Sequence, residues 1–252
     1  MNKDNRTLAF INLYAILGTV PKLLELDAEA AALCKGKKVS IGFKVKGGPS
    51  GTLAFNDGKC SFYSGLKGAQ VVLPFSSPEK FNALIDGEYT PIPSKGFTKI
   101  SFLLKSFTKI TDILTKYLRA GKKDLENEEF FTKSTLLMFN VIAGAIAQIA
   151  NEDRVGQASA SYIEDGVIKM AIGNDAAIAL EAKGHKLTVL DRVPEDFRAY
   201  MVFDNMKLAR QLFDGEVNSV AEVGVGNIRI GGFISMIDNV NRILGRVALY
   251  LA

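Results

Sequence analysis

Two stretches of this 252-residue chain decide how it reads: "ALIDGEY" at residues 83–89 and "QLFDGEV" at 211–217. Both contain Leu-x-Asp-Gly-Glu, and the copies lie 128 residues apart. At the same offset Phe75 meets Phe203, Ser77 meets Asn205 and Ile100 meets Ile228; further on the offset drifts to 130, where Ile113-Leu114 meets Ile243-Leu244. Ser77 and Asn205 are both good helix N-caps, and Pro78 follows where a first-turn proline belongs. Gly87 and Gly215 therefore fall just past a short capped helix, where the chain needs a residue tolerant of positive φ. Asp86, Glu88 and their counterparts Asp214 and Glu216 read as solvated neighbours of that cap. Carboxylates used in catalysis need a base, nucleophile or metal cluster close by, and the sequence offers none.

The flanking patterns repeat as well. In the first half "VSIGFKV" (39–45) alternates as a half-buried strand. "TLAF", the turn "NDG" (56–58) and "KCSFYS" form a hairpin, and "AQVVLPF" (69–75) is a further strand. The short helix 77–86, a strand around Ile100 and a last helix follow. In the second half "SASYI", "VIKMAI", "AAIALEA" and "KLTVL" are separated by the turns "EDG", "GND" and "KGH". "AYMVF", the helix 205–214, the strand "NIRIG" and a last helix complete it. The expected fold class is α+β: two tandem domains, 1–126 and 127–252, each a mostly antiparallel sheet packed by helices. The charged stretch "GKKDLENEE" (121–129) marks the boundary.

Composition supports a globular chain, with 48 % apolar and 23 % charged residues. The net charge of +4 is unevenly spread: residues 1–126 hold 19 Lys and Arg against 11 Asp and Glu, and residues 127–252 hold 12 against 16. The halves thus present opposite fields to an anionic partner. Cys34 and Cys60 have no companions at metal-ligand spacing and read as buried thiols of a reduced cytoplasm. The N-terminal apolar run continues at helical spacing into "PKLLELDAEAAALCKGKK", an amphipathic helix rather than a signal peptide. "STLLMFNVIAGAIAQIA" (134–150) reads as a buried helix, being short for a span and interrupted by Asn140 and Gln148. A cytoplasmic protein is expected.

Catalytic signatures are missing. His185 is the single histidine, in the turn "AKGHKL". There is no Gly-x-Ser-x-Gly and no phosphate-binding loop. "GVGNIRIGG" (224–232) has Arg229 where a dinucleotide loop would need glycine, and it leads into a strand. No tryptophan is present, and the basic segments lack the aromatic interleaving of a single-strand binder, so no nucleic acid, metal or cofactor is expected. The closing helices, in contrast, carry continuous apolar stripes: Leu103, Phe107, Ile110, Leu114 and Tyr117 in the first half, and Phe233, Met236, Ile237, Val240, Ile243, Leu244, Val247 and Leu251 in the second. Either stripe can pack on a filled core or roof an apolar cavity.

From the short helix onward the chain resembles the sterol carrier protein 2 family. The carrying residues are Gly215-Glu-Val-Asn218 and Gly226-Asn-Ile228-Arg-Ile230-Gly-Gly232, with Gly87-Glu-Tyr-Thr-Pro91 as the first copy. The first copy departs in its tail, "IPSKGFTKISF", which lacks the glycine after the strand. The resemblance implies a five-stranded sheet packed by helices around a tunnel for sterols, fatty acyl chains or phospholipids, with no catalytic residues. The expected function is non-enzymatic binding or transfer of such a hydrophobic ligand. Leu103, Phe107, Ile110, Leu114, Phe233, Met236, Ile237, Val240, Ile243 and Leu244 would line its site. The alternative is a scaffold or interaction protein with filled cores. Lys105, Lys109 and Lys116 share one face of the first closing helix, a surface for transient contact with an anionic membrane. No oligomeric state follows from the sequence.

Overall fold

The computed structural model describes residues 3–251. The chain divides into two compact units, Met1–Leu137 and Met138–Ala252. The division falls inside a long helix, whereas the charged stretch 121–129 was the expected boundary. That stretch forms a 3₁₀ turn at Asp124–Glu126 and the beginning of the helix, whose Phe130 N–H is capped by the Asn127 side chain at 2.9 Å.

The first unit opens with α1 (Asn5–Ile11), capped by Asp4. A π-type turn at Asn12–Ile16 and a 3₁₀ turn at Leu17–Thr19 carry the chain into α2 (Val20–Leu26) and α3 (Ala28–Ala32). Strands β1 (Lys38–Val45), β2 (Ser50–Asn56), β3 (Lys59–Ser64) and β4 (Val71–Phe75) form a sheet of order β3-β2-β1-β4. β1–β2 and β2–β3 are antiparallel, and β1–β4 is parallel. The hairpin turn places Asp57 at φ 48° and Gly58 at φ 81°, the paired left-handed residues that a two-residue turn between twisted strands requires. Helix α4 (Pro78–Ile85) follows, then the closing segment: a 3₁₀ turn at Phe97–Lys99, α5 (Ile100–Phe102), a π-type turn at Leu103–Phe107 and α6 (Thr108–Leu118).

The strand expected around Ile100 is absent: Ile100 begins α5. Against β4 the chain makes one isolated bridge, Val72 to Lys95. Pro74 on β4 and Pro91 and Pro93 in the approaching segment lack the N–H groups a ladder uses. Gly96, at φ 85°, then turns the chain into the helix.

Helix α7 (Glu128–Glu152) contains the unit division. In the second unit α8 (Arg154–Ala160) precedes β5 (Gly166–Ile172), β6 (Ala176–Lys183), β7 (Lys186–Leu190) and β8 (Ala199–Phe203). Helices α9 (Met206–Phe213) and α10 (Ser219–Gly224), β9 (Ile228–Gly232) and α11 (Ile234–Leu251) complete it. The sheet order is β7-β6-β5-β8-β9, with β5–β8 parallel and the other pairs antiparallel. "SASYI" is not a strand. Its first residues end α8, because the Asp153 side chain accepts the N–H groups of Val155 and Gly156 at 2.9 and 2.8 Å and starts a helix there.

The opening motif is structural in both units. Gly87 and Gly215 take φ 78° and 72°. Each donates its N–H to the carbonyl of Leu84 or Leu212 at 3.1 Å, and the next residue, Glu88 or Glu216, reaches back to Ala83 or Gln211 at 2.8 Å. This is a helix C-cap that L side chains adopt only at a cost. Asn5–Leu26 and Glu128–Glu152 are long and apolar enough to cross a membrane, and 61 % of each such stretch is buried within the fold.

Candidate functional site beneath the closing helices

In the first unit Ile110 and Leu114 are buried, and Leu103 and Phe107 are half-buried. They meet a core dominated by aromatic rings. Phe107 lies 6.1 Å from Phe43 and 6.2 Å from Phe55, Phe102 lies 5.2 Å from Phe55, and Phe43 and Phe75 flank Phe81 at 6.1 and 5.0 Å. The π-type turn at Leu103–Phe107 sets Phe102 and Phe107 toward the same ring cluster. Phe102, Phe43 and Phe55 are central to this site, and the helical stripe alone did not reveal them. A uniform α-helical period cannot anticipate an inserted π-type turn.

In the second unit Met236, Ile237, Val240 and Ile243 are buried and Leu244 is half-buried. Helix α11 packs on α8, β8 and β9. Phe233 does not join this inward face. It precedes the helix at Ile234, is 41 % exposed and lies under the Arg198 guanidinium at 5.1 Å. Gly232, at φ 77° and against the Arg198 carbonyl, turns the chain just before it.

A polar clamp fastens each closing helix. In the first unit Asp27 caps α3 through Oδ1, accepting the Ala30 N–H at 2.8 Å. Its Oδ2 accepts the Tyr117 hydroxyl at 2.7 Å. Tyr117 also stacks on Phe130 at 4.6 Å, and its carbonyl accepts the Ser134 hydroxyl at 2.6 Å. In the second unit Asp153 caps α8, and its Oδ2 accepts from the Tyr250 hydroxyl at 2.6 Å and from Arg246 at 2.7 Å. Thus in each unit an N-cap aspartate at the junction of two helices that precede the sheet holds a tyrosine near the end of the closing helix. Burial alone would raise the Asp153 pKa. The hydrogen bonds from Arg246, Tyr250 and the Gly156 N–H outweigh it and hold the carboxyl below its ordinary range. Burial, together with the Asp27 carboxylate, pushes the Tyr117 hydroxyl well above the usual phenol range.

Three pockets at the surface lie elsewhere. One of about 480 Å³ is rimmed by Lys116, Tyr117, Lys123, Asp124, Asn127, Glu129, Phe130 and Lys133. A groove of about 470 Å³ runs between residues 66–70 and 95–99. A pocket of about 290 Å³ lies near Asn205, Gln211, Glu222 and Asn227 in the second unit. None of these three is lined by the ten apolar residues expected to hold a ligand. Lys105, Lys109 and Lys116 are exposed, and Lys116 sits over the Phe130 ring at 5.6 Å. His185 is an exposed turn residue at φ 63°. Among the described residues no group of three or more His, Cys, Asp or Glu side chains comes together. Burial raises the pKa of the Cys34 and Cys60 thiols, away from a reactive thiolate.

No protein-family model matches the chain, and no curated protein matches it in sequence. Among solved structures it is similar to a UbiJ-SCP2 ubiquinone synthesis protein, at 14 % identity and TM-score 0.34, covering 44 % of this chain and 96 % of that one. It is also similar to the sterol carrier protein domain 2 of Helicoverpa armigera, at 14 % identity and TM-score 0.36, covering 44 % of this chain and 88 % of the other. A third is apo sterol carrier protein 2 from Yarrowia lipolytica, at 18 % identity and TM-score 0.32, covering 43 % and 90 %.

Proposed function

We propose that the chain is a tandem pair of sterol carrier protein 2-like domains, and that it binds a hydrophobic ligand, a fatty acyl chain, sterol-like molecule or phospholipid, without catalysing a reaction. The ligand would occupy the apolar interior beneath a closing helix. The observation that carries this reading is the repeated clamp. Each closing helix presents its apolar face inward and is held near its end by a hydroxyl–carboxylate bond to a cap aspartate. Moving such a helix from its unit breaks the clamp and uncovers its buried apolar side chains, Ile110 and Leu114 in the first unit and Met236, Ile237, Val240 and Ile243 in the second, surface that a bound ligand would cover again, while the sheet beneath keeps its ladder. In this closed state the aromatic rings of the first unit, Phe43, Phe55, Phe102 and Phe107, occupy the space a ligand would take, so uptake there requires rings and helix to move together. Filling such a site replaces ring–ring contacts with ligand contacts of similar apolar area, which leaves binding free energy to come from the ligand's own transfer out of water. A cytoplasmic location accords with this reading, as do two free thiols.

Organic extraction of the purified full chain, followed by mass spectrometry, and titration with a fluorescent fatty acid test the proposal. A co-purifying lipid or saturable uptake is the expected result. A chain that extracts clean and takes up neither fatty acid, sterol nor phospholipid probe would be a scaffold with filled cores.

A further inference from the structure

Between Tyr89 and Thr111 the chain carries Lys95, Lys99, Lys105 and Lys109 and no acidic residue. All four lysines are exposed. Interleaved with them are Ile92, Phe97 and Leu104, which are 78, 59 and 65 % exposed. Among the described residues of the first unit, these three are the exposed large apolar side chains. All lie within thirteen consecutive positions. Phe97 begins the 3₁₀ turn and Leu104 lies in the π-type turn of the closing segment, and both side chains are exposed. The loop that presents Ile92 and Phe97 is fixed to the sheet. Ser94 donates to Val72 O at 2.9 Å, Lys95 Nζ donates to Ala69 O at 3.0 Å, and a side chain on Gly96 would strike Gln70 and Val71. Beside it runs the 470 Å³ groove whose rim carries Lys95 and Lys99.

We infer that this surface docks on an anionic bilayer, with Ile92, Phe97 and Leu104 inserting among the lipids and Lys95, Lys99, Lys105 and Lys109 meeting the headgroups. Charge complementarity selects the occupant: exposed apolar side chains alternating along the chain with four lysines, with the first carboxylates only at the two ends of the stretch, Glu88 and Asp112, suit a negatively charged interface that has an apolar interior. The expected amphipathic-helix mode is replaced. Ile110 and Leu114 face the protein core, so the helix does not lie on the membrane by its main stripe. The exposed side chains at its beginning make the contact instead. The inference does not rest on the ligand reading, because docking is measured on the protein and vesicles alone.

The test is co-sedimentation of the full chain with phosphatidylcholine vesicles and with phosphatidylcholine–phosphatidylserine vesicles, at low and high salt. Binding to the anionic vesicles, weakened by salt, is expected. Each lysine changed among K95Q, K99Q, K105Q and K109Q should weaken partition about fivefold. The triple variant I92S/F97S/L104S should weaken it about tenfold or more. Lys95 also holds the Ala69 carbonyl, so K95Q is read beside its own circular dichroism; the other side chains are exposed, and their variants should leave circular dichroism unchanged. A control of equal charge, K35Q/K37Q/K38Q/K59Q, alters exposed lysines outside the patch and should retain binding. Equal binding to neutral and anionic vesicles would overturn the inference. So would a control as impaired as the patch variant, which would reduce the effect to net charge. Wild-type partition by the serine variant would also overturn it, leaving a purely ionic surface that serves an acidic protein as well as a membrane.

Discussion

Replacing Tyr117 with Phe isolates the clamp of the first unit. The ring stays, with its stacking on Phe130 at 4.6 Å, so no cavity opens. What disappears is one hydroxyl donated to the Asp27 Oδ2 at 2.7 Å. Asp27 keeps the Ala30 N–H on its other oxygen but loses the partner of a carboxylate that is 9 % exposed. A hydrogen bond to a charged group contributes about 1.5–3 kcal/mol, which is roughly a 10- to 150-fold change in an opening equilibrium. The matching change in the second unit, Tyr250→Phe, leaves Arg246 on the same oxygen of Asp153 at 2.7 Å, so its cost should fall at or below the low end of that range. Amide hydrogen exchange reads both. Protection should drop across 108–118 in Tyr117→Phe, while strands β1 and β2 keep theirs. A smaller drop across 234–251 is expected in Tyr250→Phe. If the closing helix gates the interior, fluorescent fatty acid uptake should accelerate in the same order. Equal effects in the two units, or unchanged protection of 108–118, would refute the clamp as the element that holds the helix.

Gly87→Ala and Gly215→Ala should each cost about 1–2 kcal/mol in denaturant unfolding, and by similar amounts, because both sit at positive φ with nothing within 4 Å of an added Cβ. Gly96→Ala should cost more than either, since there the new atom also meets the backbone of Gln70 and Val71. Asp153, whose carboxyl is held below its usual value of 3.8, contributes stability that is complete above that pH and is lost as pH falls further through the lowered folded value. The acid limb of a stability–pH profile should therefore steepen below about pH 4, and Asp153→Asn should remove that part of the slope.

The repeated strands and the capped short helix were legible because local chemistry dictates them. Alternation at Val39, Ile41, Phe43 and Val45, the Asn-Asp-Gly turn, the caps Ser77 and Asn205, and the glycines after them each encode a backbone conformation within a few residues. The misread segments are those where non-local terms decide. Ile100 has a strand-like neighbourhood, but a strand needs a willing edge, and prolines 74, 91 and 93 deny one. "SASYI" looked extended until Asp153, several residues upstream, claimed the N–H groups that start α8. The clamp was invisible for a related reason: Asp27 and Tyr117 are 90 residues apart, Asp153 and Tyr250 are 97 apart, and nothing in either local pattern marks a partner. The helical stripes did locate Ile110, Leu114, Met236, Ile237, Val240 and Ile243 on buried faces. They could not say whether rings or a ligand fill the space those faces look onto.

The two units share what a closing helix needs and differ in what surrounds it. Both keep the parallel pairing of the first and fourth strands, the capped short helix and the aspartate–tyrosine clamp. Only the second extends its sheet with β9, whose ladder ties the segment before the closing helix to β8 along five residue pairs. In the first unit that tie is a single bridge at Val72. The apolar residues Ile92 and Phe97 occupy the stretch freed from pairing, and so they project into solvent. The second unit also exposes apolar side chains, Val220 and Val225 at 69 and 71 % and Ile234 at 51 %, but its setting is different. Glu222 lies between the two valines, Asp238 lies one turn beyond Ile234, and the half as a whole is acidic. Asp238 is paired with Arg242 at 3.3 Å, and Phe233, also exposed, lies under Arg198; what the second unit lacks is a run of four lysines without an acid between them, as at 95–109. Losing a strand weakens the first unit's sheet at its edge, and the same loss frees a lysine-flanked apolar surface there. That coupling explains why the exposed, lysine-flanked apolar side chains collect beside the less paired of the two closing segments.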